Sequence, residues 1–162
     1  EVENYIREVY RLGPELGFDP AIIIAQSNLE TGHWTSAWWR DHLNPAGIGV
    51  TGSPDDHLTG ASFANGTLSA RAQMAHMHGY VYGSSKPLPD ILQGLDPRYQ
   101  LLFDIGLAGT VRTIADLSGT WAVDPNYHHK IVSRATGIFG QRRKNNGAGR
   151  KFRPAPFRVR AP

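Results

Sequence analysis

Apolar residues recur at helical spacing along most of the chain, and long strict alternation of apolar and polar positions is missing. Val2, Ile6 and Val9, with Tyr5 and Tyr10 beside them, mark a first helix. Gly13-Pro14 is expected to interrupt or kink it, and Gly17 to cap it. Asp19-Pro20 then reads as N-cap and first helical residue, with Phe18 placed to staple onto Ile23. The following stretch is apolar nearly all round, through Ile22, Ile23, Ile24, Ala25 and Leu29. That pattern predicts a buried central helix, ended by Gly32. TSAWWRDH predicts a short helix capped by Thr35, and NPAGIGVTG a turn into an extended piece.

Val50 to Gly66 is rich in Gly, Ser, Thr and Asp and contains Asn65-Gly66, which predicts a small β-hairpin or an ordered loop. Leu68, Ala72, Ala75 and Tyr82 mark a helix from about Thr67 to Tyr82. Asp96-Pro97 opens another, with Tyr99, Leu102 and Ile105. Thr110 is expected to start the next, with Val111, Ile114 and Leu117, stopped by Gly119. Asp124-Pro125 opens the last, whose Tyr127, Ile131, Ala135 and Ile138 form one apolar stripe. The chain is therefore expected to be mainly α, with one small β element and no internal repeat.

Composition narrows the class. With 162 residues, 40% of them hydrophobic, the chain can bury a core as one domain. No apolar run is long enough to cross a bilayer. Cysteine is absent, which excludes a disulfide framework and any Cys-based metal site. The chain starts at Glu1 without a leader-like stretch, so an excised or processed piece is expected.

The net charge of +3 divides unevenly. Of 17 basic and 14 acidic residues, eight basic and no acidic ones lie from Gln141 onward. Residues 1–140 are thus net acidic. The basic, Gly/Pro-rich stretch 141–162 reads as a linker or an arm, and an arm of this charge suits a polyanion such as an anionic wall polymer. Nucleic-acid binding is not expected of the acidic body.

One carboxylate is placed for chemistry. Glu30 falls in the last turn of the apolar helix, where the helix dipole disfavours negative charge by about 0.3–1 kcal/mol. Nearby Trp34, Trp38 and Trp39 would desolvate it further. Both effects raise a carboxyl pKa, as a general acid requires. The competing reading is an exposed Glu paired with Arg40 or Lys130. Asp55 and Asp56 are candidates for a second carboxylate, against a reading as turn-forming Asp residues. His76 and His78 face different sides of their helix, and neither they nor His128-His129 suggest a metal pair. Trp34, Trp38, Trp39 and Trp121 suit stacking on sugar faces or core packing. Tyr80 and Tyr82 are equally two-sided.

AQSNLETG, then NPAGIG, then TWAVDPNYHHKI together resemble the glucosaminidase domain of bacterial and phage cell-wall hydrolases, over roughly Tyr5 to Gly140. The resemblance implies a lysozyme-like fold, with a helical lobe, a small β-hairpin lobe and a glycan groove between them. It implies peptidoglycan as substrate, cut at the β-1,4 bond after N-acetylglucosamine. Glu30 matches the catalytic acid, Asn44, Gly47 and Ile48 the groove wall, and Tyr127 the tyrosine of the DP-x-Y motif. Trp34, Trp38, Tyr80 and Trp121 are the aromatic candidates for sugar contact.

Two departures stand out. Trp121-Ala122-Val123 replaces a common Tyr-Ala-Thr, and only Asp55 and Asp56 stand where many relatives offer a second Glu. The substrate's own 2-acetamido oxygen can replace that group. No cofactor or metal is expected. The expected setting is a monomer working outside the cell, on the wall or as part of a virion. The alternatives are a muramidase or lytic transglycosylase, which more often carry Glu-Ser at this helix end, and a non-catalytic glycan-binding or phage-tail module.

Overall fold

Local capping and one largely buried helix organise the fold. The structure, a computed structural model, describes residues 1–140 apart from the side chain of Leu58; the basic arm expected from Gln141 to Pro162 lies outside them. The helices are α1 (Val2–Leu16), α2 (Pro20–Glu30), α3 (Ala37–His42), α4 (Asp56–Thr59), α5 (Gly66–Tyr82), α6 (Tyr99–Asp104) and α7 (Tyr127–Gly140). Short 3-10 turns lie at Gly83–Ser85, Asp90–Leu92 and Ile114–Leu117. The protein is thus mainly α. No described helix is long and apolar enough to cross a membrane.

Asp19 starts α2 by accepting a hydrogen bond from the Ala21 amide at 2.8 Å, with Pro20 in the first turn. Every residue from Ala21 to Asn28 is buried. Each of Ile22, Ile23 and Ile24 contributes about 1.5–3 kcal/mol on burial. Helix α2 packs between α1 and α7, while α1 also lies against α5. Tyr5, Val9, Leu12 and Leu16 form the buried stripe of α1. From α7, Tyr127, Ile131 and Ala135 reach the core, whereas Ile138 is exposed.

Several expectations are corrected. Helix α1 is not interrupted at Gly13-Pro14 but runs to Leu16, while Gly17 caps it as expected, with a φ of 84°. Ser36, not Thr35, caps α3, accepting from the Trp39 amide at 3.2 Å. The β-hairpin is absent: Val50 to Gly66 holds no strand, only turns and the single-turn helix α4. Asn65-Gly66 is no hairpin turn, because Asn65 caps α5 by accepting from the Leu68 amide at 2.9 Å. The helix expected from Thr110 shrinks to one 3-10 turn. There the Asp116 carboxylate accepts the Arg112 and Thr113 amides at 2.9 and 2.7 Å. These bonds hold the backbone in a turn instead of a longer helix.

Candidate active site

Glu30 is the last residue of α2. Beyond it, Gly32, His33 and Trp34 all adopt left-handed backbone, with φ of 54°, 63° and 60°. For His33 and Trp34 this costs about 1–2 kcal/mol each. Two contacts hold the turn: the Trp34 amide donates to Thr31 Oγ1 at 2.9 Å, and the Trp34 indole N–H donates to Ser27 Oγ at 3.0 Å. Trp34 therefore folds back beside Tyr5 and Trp39, with ring centroids 6.3 and 6.5 Å away. It buttresses the acid's helix from within and does not line the cleft described below. Trp39 is core.

Neither cation proposed as a partner holds Glu30. Lys130 pairs with Asp124 at 2.5 Å, and no ion pair joins Arg40 to Glu30. Glu30 Oε1 instead accepts a hydrogen bond from the Tyr127 hydroxyl. Burial raises the Glu30 pKa above the usual carboxylate range, and the Tyr127 bond only partly offsets that. Burial and the Glu30 charge in turn keep Tyr127 protonated.

A buried chain of donors stands behind this pair. Tyr5 OH donates to Gln73 Oε1 at 2.5 Å, Gln73 Nε2 to Gln26 Oε1 at 3.0 Å, and Gln26 Nε2 to Tyr127 OH at 3.1 Å. The chain ends at Glu30. It joins α1, α5, α2 and α7, and neither Tyr5, Gln26 nor Gln73 touches solvent. Every donor points toward the carboxylate, so each bond polarises the next. With Oε1 occupied by a donor, the acid's proton belongs on Oε2.

On its open side Glu30 faces a cleft of about 460 Å³. Of the residues expected from sequence, Trp38, Asn44, Gly47, Ile48, Tyr80 and Trp121 also line it. Their roles differ. Tyr80 and Trp121 lie ring to ring at 5.4 Å and 36°, an aromatic surface suited to a sugar face. The Trp38 ring lies so close to Gly60 that a Cβ there would come within 2.2 Å of it.

Asn44 is fully buried and its amide is spent: Nδ2 donates to Ile48 O and Ala61 O at 2.9 and 3.0 Å, and Oδ1 accepts from Ile48 N at 2.9 Å. It clamps the NPAGIG turn. The Ile48 side chain packs with Ala46, Ala61 and Ala72. Gly49 must be glycine, because at φ 76° a Cβ would meet Thr59 O at 2.1 Å.

Neither candidate second carboxylate lines the cleft. Asp56 Oδ1 accepts from the Thr51 amide and hydroxyl, and Oδ2 from the Gly52 amide, each at 2.7 Å. Desolvation alone would raise its pKa, yet these donors carry it below the ordinary value. Asp55 is exposed, and its amide closes a turn onto Ser53 Oγ at 3.3 Å. Among the described residues lining the cleft, Glu30 is the one carboxylate.

Sequence reasoning missed His76, which it weighed only as a metal ligand. Its Nδ1 lies 2.7 Å from Asp96 Oδ2, and its ring lies edge-on to Tyr80 and Trp121 in the cleft wall. Its neighbour His78 points into the core, and burial lowers its pKa to about 4. The signal was available in HMHGY: positions 76 and 80 are one turn apart and share a face. Comparison of the chain with known protein families, with characterised proteins and with solved structures finds no match.

Proposed function

We propose that this protein hydrolyses the β-1,4 bond after N-acetylglucosamine in peptidoglycan strands, with Glu30 as general acid. One observation carries the reading: a desolvated carboxylate with raised pKa opens onto a cleft walled by paired aromatic rings. Protonated at neutral pH more often than an ordinary Glu, it can give its proton to the leaving oxygen as positive charge develops on the sugar. Tyr80 and Trp121 offer sugar-stacking faces, and Trp38 also lines the cleft. The three motifs that resemble glucosaminidase domains support the substrate class.

In this reading the layout is lysozyme-like, with the loop region 50–65 replacing the hairpin lobe. The enzyme works outside the cell on the wall, and the basic arm 141–162 binds anionic wall polymers. The lone carboxylate also favours a second reading, a lytic transglycosylase, in which no water is added.

The test is digestion of purified peptidoglycan, borohydride reduction of the fragments and mass analysis. Reduced N-acetylglucosamine ends are expected. Reduced N-acetylmuramic acid ends would make the protein a muramidase. A 1,6-anhydro ring would make it a transglycosylase. Intact walls with unchanged binding would make it a glycan-binding module.

A further inference from the structure

Hydrolysis of a glycoside needs a second group to complete it, either a base for the incoming water or a nucleophile. The cleft holds no second carboxylate, since Asp56 is spent on its own loop and Asp55 lies outside. It does hold one imidazole. Asp96, whose side chain is 1% exposed, sits behind His76 and accepts from it at 2.7 Å. Asp96 is fixed in turn by the Arg98 amide, which donates to its other oxygen at 2.9 Å.

A carboxylate only accepts, so the His76 proton sits on Nδ1. Nε2 is then the lone-pair nitrogen. It has no hydrogen-bond partner among the described residues and is not sealed in the interior, unlike His78 Nε2. The ring cannot swing freely: Tyr80 and Trp121 hold it edge-on, with centroids 5.3 and 4.9 Å away. His76 and Glu30 both line the cleft.

From these contacts we propose that His76, oriented by Asp96, is the second catalytic residue and takes the proton of the attacking water. The inference rests on Glu30 acting as a glycosidic acid. As the C1–O4 bond breaks, Glu30 gives its proton to the leaving oxygen. The water oxygen bonds to C1 from the opposite face and passes its proton to His76 Nε2. The resulting imidazolium is stabilised by the Asp96 carboxylate, and both groups exchange protons with solvent before the next turnover. An oriented imidazole backed by a buried carboxylate performs this transfer in other hydrolytic sites by the same physics. Attack from the opposite face inverts the anomeric centre, so the β-linked strand yields an α-configured new end.

The charged and titratable groups facing His76 are Asp96 behind it, Tyr80 on its own helix, and Arg98 and Glu30 along the cleft. Because the base works as the free imidazole, the pH profile of kcat/KM should carry an acid limb.

The deciding experiment uses the whole chain. Soluble peptidoglycan strands are digested in the NMR tube, and the anomeric signal of the new end is read before mutarotation. An α signal at early times is expected. A β signal would overturn the inference while leaving the glycosidase reading intact, because retention means the acetamido oxygen attacks. A 1,6-anhydro end overturns it too, since no water is then activated. If the intact protein cuts nothing, the parent reading fails and takes this inference with it. As a second measurement, His76→Gln should lower kcat by about 10²–10⁴-fold, with KM little changed and the acid limb of the pH profile gone. An unaltered acid limb in folded His76→Gln would likewise overturn the assignment.

Discussion

Glu30 and Asp56 are both carboxylates at helix ends, and the fold treats them in opposite ways. Glu30 closes α2 at its C-terminal end, half-buried, with one donor on one oxygen. Asp56 opens α4 at its N-terminal end, with three donors shared over both oxygens. The first is pushed toward the acid form and left open to a cleft. The second is locked as an anion and holds residues 51 and 52 in place. The difference teaches that a carboxylate's task is set by the donors around it more than by the helix that carries it.

The largest expected effect breaks the comparison at Glu30. Glu30→Gln should lower turnover by at least about 10²-fold, measured on purified walls, with the circular dichroism spectrum unchanged. Its stability should change as well, with a definite sign. The folded pKa of Glu30 lies above the unfolded one, so across that window the folded state keeps a proton that the unfolded state has lost. Native stability therefore falls as pH rises through the window. Gln cannot ionise, so Glu30→Gln should melt higher than the native protein at pH 7 and lose that advantage in acid. Thermal melts at pH 4 and pH 7 check this.

Next in size is the donor chain behind the acid. Gln73→Met leaves Gln26 Oε1 without a donor and should cost about 1–3 kcal/mol in denaturant unfolding. It also weakens Tyr127 as a donor, so the Glu30 pKa should rise further. The alkaline limb of the pH–rate profile should then move to higher pH. A fixed limb in a folded variant would mean that the chain holds position only.

Asp56→Asn should act on the other side of the comparison. The folded pKa of Asp56 lies below the unfolded one, so its stabilisation is present above the unfolded value and lost as pH falls through the folded value. The variant should melt lower than the native protein at pH 7 and lose that deficit in acid, while turnover stays far closer to native than in Glu30→Gln. Asp55→Asn should be nearly silent in both melting and turnover, since its side chain carries none of these contacts. A dead but folded Asp55 or Asp56 variant would make that residue the second catalytic group and displace His76.

Much of the helical plan was legible. Helices α1, α2, α5 and α7 and the Asp19 cap follow from signals that act within about four residues, where periodicity and capping operate. The position of Glu30 at a helix end was legible for the same reason. The hairpin between 50 and 66 failed because turn residues there serve caps: Asn65 caps α5, and Asp56 gathers the amides of residues 51 and 52. Trp34 and Trp38 looked alike in sequence. One is folded against the core, partly buried, by the left-handed turn at 32–34, and the other lines the cleft.

The chain by itself thus determined its helices, their starts and the apolar burial of α2, because those depend on neighbours along the backbone. A raised pKa at Glu30 was expected from its helix end, but only the tertiary structure decided how it is buried and what stands beside it. Tyr127 reaches Glu30 across 97 residues, Gln73 reaches Gln26 across 47, and His76 meets Asp96 across 20. No local propensity encodes such pairings. They form because packing α2 between α1 and α7 leaves buried polar groups that must find partners, and those partners tune the site.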